Sequence, residues 1–149
     1  MLNWYWRTFE ALQLHELYEI AALRQSVFIV EQKCAYPDLD YQDQFAMHLL
    51  GTQDNKLVAY LRLLLKNSPY PDAVSFGRVA VIESARNQGL GSQLIQKVLE
   101  HLTINEEKRP IIISAQLYLK KFYETFDFCA VGKPYDEDGI PHIKMAKQC

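Results

Sequence analysis

Between an apolar, β-branched run (Phe76, Val79, Val81, Ile82) and a stretch with helical spacing (Leu94, Ile95, Val98, Leu99, Leu102) lies the segment Arg86-Asn87-Gln88-Gly89-Leu90-Gly91. A strand that enters a helix through a glycine-bearing turn leaves backbone N–H groups without acceptors, and the helix dipole adds partial positive charge at the same spot. Such a turn can hold a phosphate. It can also be no more than a tight turn, as it is in many α/β chains. Two familiar phosphate loops are excluded by spacing. No Gly-Lys-Ser/Thr follows, as a P-loop requires, and the pattern is not G-x-G-x-x-G after a parallel strand–helix–strand series.

A second chemically suggestive stretch is the acidic segment CAYPDLDYQDQ over 34–44, with Asp38, Asp40 and Asp43. Closely spaced carboxylates suit a hard cation, but the stretch lacks the glycine and terminal bidentate Glu of an EF-hand loop, so no metal site is expected. Two readings stay open, a solvated loop that attracts a cationic substrate and a purely structural turn. Cys34, Cys129 and Cys149 are odd in number and far apart. That fits reduced thiols better than a disulfide framework or a zinc site.

The elements that must position these groups follow from periodicity. Residues 4–9 alternate aromatic and polar side chains, which predicts an edge strand. Leu17, Ile20, Leu23, Val27 and Val30 recur every three or four residues and predict a helix over 14–30. The apolar runs 45–52 and 57–65, parted by Gln53-Asp54-Asn55-Lys56, predict an antiparallel hairpin. A proline-bearing connection leads to a strand over 74–82, and the turn then opens the central helix. A strand over 111–114 should run parallel to the earlier one, because a helix crosses between them. A second helix over 117–126, a strand over 128–133, a turn-rich loop over 134–141 (PYDEDGIP) and a strand over 142–146 complete the order. The result is a single α/β domain, a mixed sheet with helices on its faces, antiparallel at its N-terminal end.

The 149 residues carry 16 Lys+Arg against 18 Asp+Glu, a formal net charge of −2 that offers no basic footprint for nucleic acid. No apolar run is long enough to span a membrane, and the polar, aromatic start is unlike a signal peptide. A cytoplasmic protein, monomeric or homodimeric, is expected.

The spacing Arg86-x-x-Gly89-x-Gly91 resembles the Q/R-x-x-G-x-G/A signature of the GNAT N-acetyltransferases, and the element order is similar to theirs over most of the chain. Within that superfamily the sequence looks closest to the ElaA-like acyltransferases. The stretches that carry this are LRQSVFIVEQ (23–32), GRVAV (77–81), the glycine loop, Phe122-Tyr123 and DEDGIPH (136–142). The resemblance implies the GNAT fold and acetyl-CoA as cosubstrate. Val79, Ala80 and Val81 would offer backbone groups to the pantetheine arm. Arg86, Asn87, Gln88, Gly89, Leu90, Gly91 and Ser92 would form the pyrophosphate loop. Tyr123 would protonate the departing thiolate, a role suited to a phenol whose free pKa is near 10. Where relatives often carry Asn seven residues before this tyrosine, the chain has Gln116, an amide of longer reach.

Acetyl transfer to an amine also needs a proton acceptor and a donor to the tetrahedral oxyanion, for which a backbone N–H near Val81 is a natural choice. Glu31, His48, His142 and the acidic loop are the candidate bases, with Glu31 and His142 ranked first. The implied activity is N-acetylation of a small amine or a protein amino group. The alternatives are an acyl-homoserine-lactone synthase, whose Arg-x-x-Val-Phe segment is echoed at 24–28, and a catalytically silent acyl-CoA-binding module.

Overall fold

The computed structural model describes residues 1–148, so the expectation for Cys149 lies outside it. The chain runs through β1 (Leu2–Thr8), α1 (Leu14–Arg24), a π-helical segment (Gln25–Glu31), β2 (Met47–Gln53), β3 (Lys56–Leu64), β4 (Ser75–Val81) and α2 (Leu90–Ile104). It continues through β5 (Ile111–Gln116), a 3-10 turn (Leu117–Leu119), α3 (Lys120–Glu124), β6 (Cys129–Glu137) and β7 (Ile140–Lys147).

The strands form two antiparallel sheets, ordered β1-β2-β3-β4 and β5-β7-β6. β5 does run parallel to β4, as the crossover predicts, but only at one bridge between Val74 and Ile111. There the Val74 N–H donates to the Pro110 carbonyl and the Ile112 N–H to the Val74 carbonyl, both at 2.9 Å. Past this point β4 stays with β3 and β5 with β7. Side-chain packing, not ladder bonds, links the sheets beyond the bridge: Phe76 of β4 meets the rings of Tyr123 and Phe128 at centroid distances of 6.1 and 5.9 Å.

Helices cover both faces of the first sheet. Ile20, Leu23, Val27 and Phe28 pack on Leu50, Tyr60 and Ala80. On the other side Leu94, Ile95 and Val98 of α2 meet Leu49, Leu61 and Leu63 together with Ile111, Ile113 and Met145 of the second sheet. β3, covered on both faces, is buried from Leu57 to Leu64, and each such large apolar side chain contributes about 1.5–3 kcal/mol.

Three elements depart from expectation. The helix predicted over 14–30 is α-helical only to Arg24. Its last turns widen to π geometry, in which the Cys34 N–H bonds back to Ile29 O, and Val30 is carried off the buried face to 63 % exposure. Residues 134–141 are not a loop but the tip of a hairpin. β6 runs on through Glu137, and Asp138 and Gly139, with φ of 53° and 82°, make a two-residue turn of the I′ kind. β4 also carries a bulge: Tyr60 pairs with Ala80 but Arg62 with Gly77, so one extra residue is accommodated at 78–79, and Arg78 takes φ of 51°.

Candidate active site

Where β4 and β5 part, a cleft of about 440 Å³ opens. Residues 75–79 of β4 and 113–116 of β5 form two of its walls. Phe28 from the π segment, Tyr123 from α3, and Glu137 and His142 from the β6–β7 hairpin reach into the same space. The bulge at Arg78 lies on this wall and interrupts pairing with β3 there. Val79 lines the cleft. The Ala80 side chain is turned into the core under the π segment, and Val81 stands just past the lining, half-buried.

From Val81 the chain passes through a 3-10 turn (Glu83–Ala85) into the glycine loop. Gly89 caps α2 with φ of 76°, a conformation that an L side chain adopts only under strain. The first helical bond of α2 runs from the Gln93 N–H to Gly89 O at 3.1 Å, which leaves the amides of Leu90, Gly91 and Ser92 without intrahelical acceptors. Leu90 anchors the turn in the core, while Asn87 and Gln88 are exposed. A Cβ on Gly91 would meet nothing closer than Phe122 Cζ at 3.8 Å, an ordinary contact, so the protein's own packing does not require glycine there. Arg86 is oriented by its own bonds. Its Nε donates to the Val81 carbonyl at 3.0 Å and its Nη2 to Glu31 Oε2 at 2.6 Å. Glu31 therefore sits beside the loop rather than among the cleft-lining residues.

Tyr123 is buried to 5 % exposure among Phe76, Phe122 and Phe128. Burial, and secondarily the proximity of Tyr118, push its phenol well above the usual range, so it stays protonated at any ordinary pH. Gln116, at the end of β5, accepts a hydrogen bond from Gln32 Nε2 at 3.4 Å, a link from the π segment across to β5.

His142 is buried between Gln116 and Tyr135, its register partners on the two neighbouring strands. Its Nδ1 lies 2.7 Å from Ile140 O, and since a carbonyl only accepts, Nδ1 carries the hydrogen. Nε2 is left facing Glu137 Oε2 at 3.4 Å. Glu137 Oε1 accepts from Ser114 Oγ at 3.2 Å, and Ser114 also bonds the Tyr135 hydroxyl. Tyr70 closes this group, its phenol pushed up to about 12 by burial and by Tyr135 and Glu137. Ser114, Tyr70, Tyr135 and Glu137 escape a reading by local pattern. The available signal was Asp138-Gly139, a hairpin dipeptide that sets β6 and β7 in register and so brings residues 135, 137 and 142 together.

The acidic loop is the structural turn of the two open readings, and the reading as a solvated attractor for substrate is corrected. Asp38 and Asp43 are buried, and with Asp40 they are bound by three arginines. Arg24 Nε donates to Asp38 Oδ2 at 2.8 Å and its Nη1 to Asp43 Oδ1 at 2.6 Å. Arg62 Nη1 and Nη2 grip Asp40 at 2.7 and 3.0 Å, and Arg78 Nη2 donates to the Asp38 carbonyl at 3.1 Å. Carboxylates so engaged have little left to offer a substrate. His48 is a core residue with both nitrogens satisfied, Nδ1 by the Tyr60 hydroxyl at 2.6 Å and Nε2 by Asp43 O at 2.9 Å, and it does not line the cleft.

Residues 18–149 match the family model described as an acetyltransferase (GNAT) domain. The chain is 40 % identical over 150 residues to protein ElaA of Escherichia coli, covering 99 % of this chain and 97 % of that one. Among solved structures it superposes on an acyl-CoA N-acyltransferase from Pseudomonas aeruginosa with a TM-score of 0.92 at 40 % identity, over 99 % of both chains. The crystal structure of E. coli ElaA gives the same TM-score at 39 % identity, over 99 % of this chain and 100 % of that one. A CoA-dependent acyl-homoserine lactone synthase shares the fold at a TM-score of 0.81, but at 16 % identity the likeness extends to the fold alone. No helix among the described residues is long and apolar enough to cross a membrane.

Proposed function

Since this chain belongs to the GNAT acetyltransferase family, we propose that it transfers an acetyl group from acetyl-CoA to a primary amine, of a small molecule or a protein, by direct attack in a ternary complex. The observation that carries the reading is the continuity of one path. The free amides of α2 follow directly on Arg86, which is bonded to the end of β4 at Val81, and Val79 of the β4 bulge lines one cleft with Gln116, Tyr123 and His142.

In this reading the amides from Asn87 to Ser92 take the pyrophosphate, helped by the dipole of α2 and by Arg86. Gly91, which the protein's own packing leaves unexplained, gives the phosphates close approach to the backbone. The edge of β4 at Val79–Val81 that faces away from β3 and the Gln116 amide hold the pantetheine arm. A β4 backbone N–H near Val81 receives the oxyanion as the amine nitrogen attacks the thioester carbon. When the C–S bond breaks, the Tyr123 hydroxyl gives its proton to the sulfur. His142 Nε2, with Nδ1 fixed by Ile140 O, takes the proton from the nitrogen. Glu31, the other candidate base, is engaged by Arg86 at 2.6 Å, which suits a role in orienting the loop.

The test is incubation with acetyl-CoA and a panel of primary amines, reading free thiol. Amine-dependent thiol release with an N-acetylated product supports the reading. Acetyl-CoA binding by calorimetry with no release on any amine indicates a silent binding module instead, and a lactone formed from S-adenosylmethionine indicates a synthase.

A further inference from the structure

We propose that the acceptor is a cationic aliphatic amine with no carboxylate of its own, seated between Glu137 and His142; this deepens the N-acetyltransfer reading and rests on it. Four formally charged side chains line the cleft, Arg62, Arg78, Glu137 and Asp138. The two cations are committed elsewhere. Arg62 bonds Asp40 at 2.7 and 3.0 Å and Asp43 at 3.1 Å, and Arg78 lies 2.8 Å from Asp38 Oδ1 and 3.3 Å from Asp40 Oδ2. The two anions have no such partners. Among the described residues neither Glu137 nor Asp138 has a lysine or arginine within ion-pair distance; Lys144, the register partner of Ser114, holds its ammonium over the Tyr70 ring, 5.4 Å from the centroid, and His142 Nε2 faces Glu137. The acceptor end of the cleft therefore sets two carboxylates against one lysine and stays net negative. It comes from the β6–β7 hairpin, whereas the acidic loop at 34–44 is neutralised.

The carboxylate is built in rather than merely present. Ser114 Oγ donates to Glu137 Oε1, which fixes the plane of the group, while Oε2 is turned toward His142 Nε2 at 3.4 Å. An ammonium that donates to Oε2 lies beside the nitrogen that removes its proton. Its first proton passes to His142 Nε2 and on to solvent, the freed lone pair forms the new C–N bond as the C–S bond breaks, and the second proton leaves the nitrogen by the same route while Tyr123 protonates the sulfur. A second positive group on the acceptor is attracted by Asp138 at the rim, whereas a carboxylate on the acceptor is repelled by both anions.

Three acceptors of equal length separate these effects: 1,5-diaminopentane, n-pentylamine and 5-aminopentanoate. With acetyl-CoA, kcat/KM should fall in that order, by about tenfold from the diamine to the amino acid. In Glu137→Gln the spread should collapse to less than about threefold, with acetyl-CoA affinity unchanged as a check on folding. An inverted or flat order in the unmodified protein overturns the proposal, as does an order that Glu137→Gln leaves intact. A second arm is independent of turnover: calorimetric binding of 1,5-diaminopentane to the protein saturated with CoA, in both forms. Binding weakened about tenfold or more in Glu137→Gln upholds the amine seat, and the same result with no transfer to any amine upholds the seat while refuting the acetyltransfer reading. Transfer whose order Glu137→Gln does not alter refutes the seat alone. No diamine binding and no transfer refutes both.

Discussion

Arg86 Nη2 lies 2.6 Å from Glu31 Oε2 while Arg86 Nε holds the Val81 carbonyl at 3.0 Å, so one side chain ties the end of the π segment to the end of β4. Both residues are substantially exposed, and an ion pair in that setting is worth little to stability. Its influence falls on where the guanidinium points. Arg86→Ala should weaken acetyl-CoA binding only about fivefold, because the backbone amides remain. Glu31→Gln should leave kcat within about threefold and tighten binding slightly, as Arg86 is released toward phosphate. A kcat loss beyond about a hundredfold in Glu31→Gln would make Glu31 the base. Steady-state kinetics with calorimetric Kd values separate these outcomes.

Tyr123→Phe keeps the ring that packs on Phe76 and Phe128 and removes only the hydroxyl. We expect kcat to fall by about 10²–10⁴ with acetyl-CoA affinity unchanged within about twofold. Turnover at the unmodified rate would remove Tyr123 as proton donor.

Stability should decline at both ends of the pH range. Burial holds His48 and His101 below the ordinary value of 6.5, so below that pH the unfolded chain binds more protons than the folded one. Stability is therefore present above 6.5 and is lost as pH falls through each folded-state pKa, at up to about 1.4 kcal/mol per pH unit per group. At the alkaline end burial raises Tyr60 and Tyr123 above 10, so their contribution is intact below 10 and is lost as pH rises beyond it. Urea unfolding between pH 5 and 8, with a histidine titration followed by NMR, measures the acid limb. A flat profile there would contradict it.

Gly51→Ala should destabilise the first sheet. A Cβ at Gly51 would stand 2.6 Å from Cζ3 of Trp4, its register partner on β1, whose indole is itself held by Gln93 across 3.3 Å. Overpacking of this kind costs about 1–3 kcal/mol, which for a chain of this size lowers Tm by roughly 3–10 °C. Combining it with Trp4→Leu should recover part of the loss, and additive effects would refute the contact as the cause.

The parts of the fold legible in the sequence are those set by local chemistry. α2 follows from its apolar stripe, the glycine loop from Gly89 and Gly91, and the β2–β3 hairpin from Asp54-Asn55, both with φ near 60°. Tyr123 was reachable by resemblance, and the structure puts it on the cleft wall. What local pattern did not carry was pairing at a distance. The arginines that neutralise the acidic loop lie on α1, β3 and β4, and nothing in CAYPDLDYQDQ announces them. Glu137 was hidden differently. Pro134 and Asp138-Gly139 crowd its neighbourhood with turn-forming residues, so a strand bearing 135 and 137 on one face reads as a loop. The parting of β4 from β5 also has no local signature, since it depends on which neighbour each strand keeps.

That parting leaves two strand edges facing each other across the middle of the molecule, with N–H and C=O groups past Val74 and Ile111 that no strand among the described residues pairs. A molecule whose extended arm bonds to either edge becomes in effect an interior strand, completing a ladder that folding left open. Its presence should register along the whole of β4 and β5 as slowed amide exchange, and as a melting temperature that climbs with ligand concentration. In the proposed reaction, departure of product is then an unzipping of backbone bonds in sequence, and the residence time of the spent carrier, as much as the chemistry, becomes a property of the sheet.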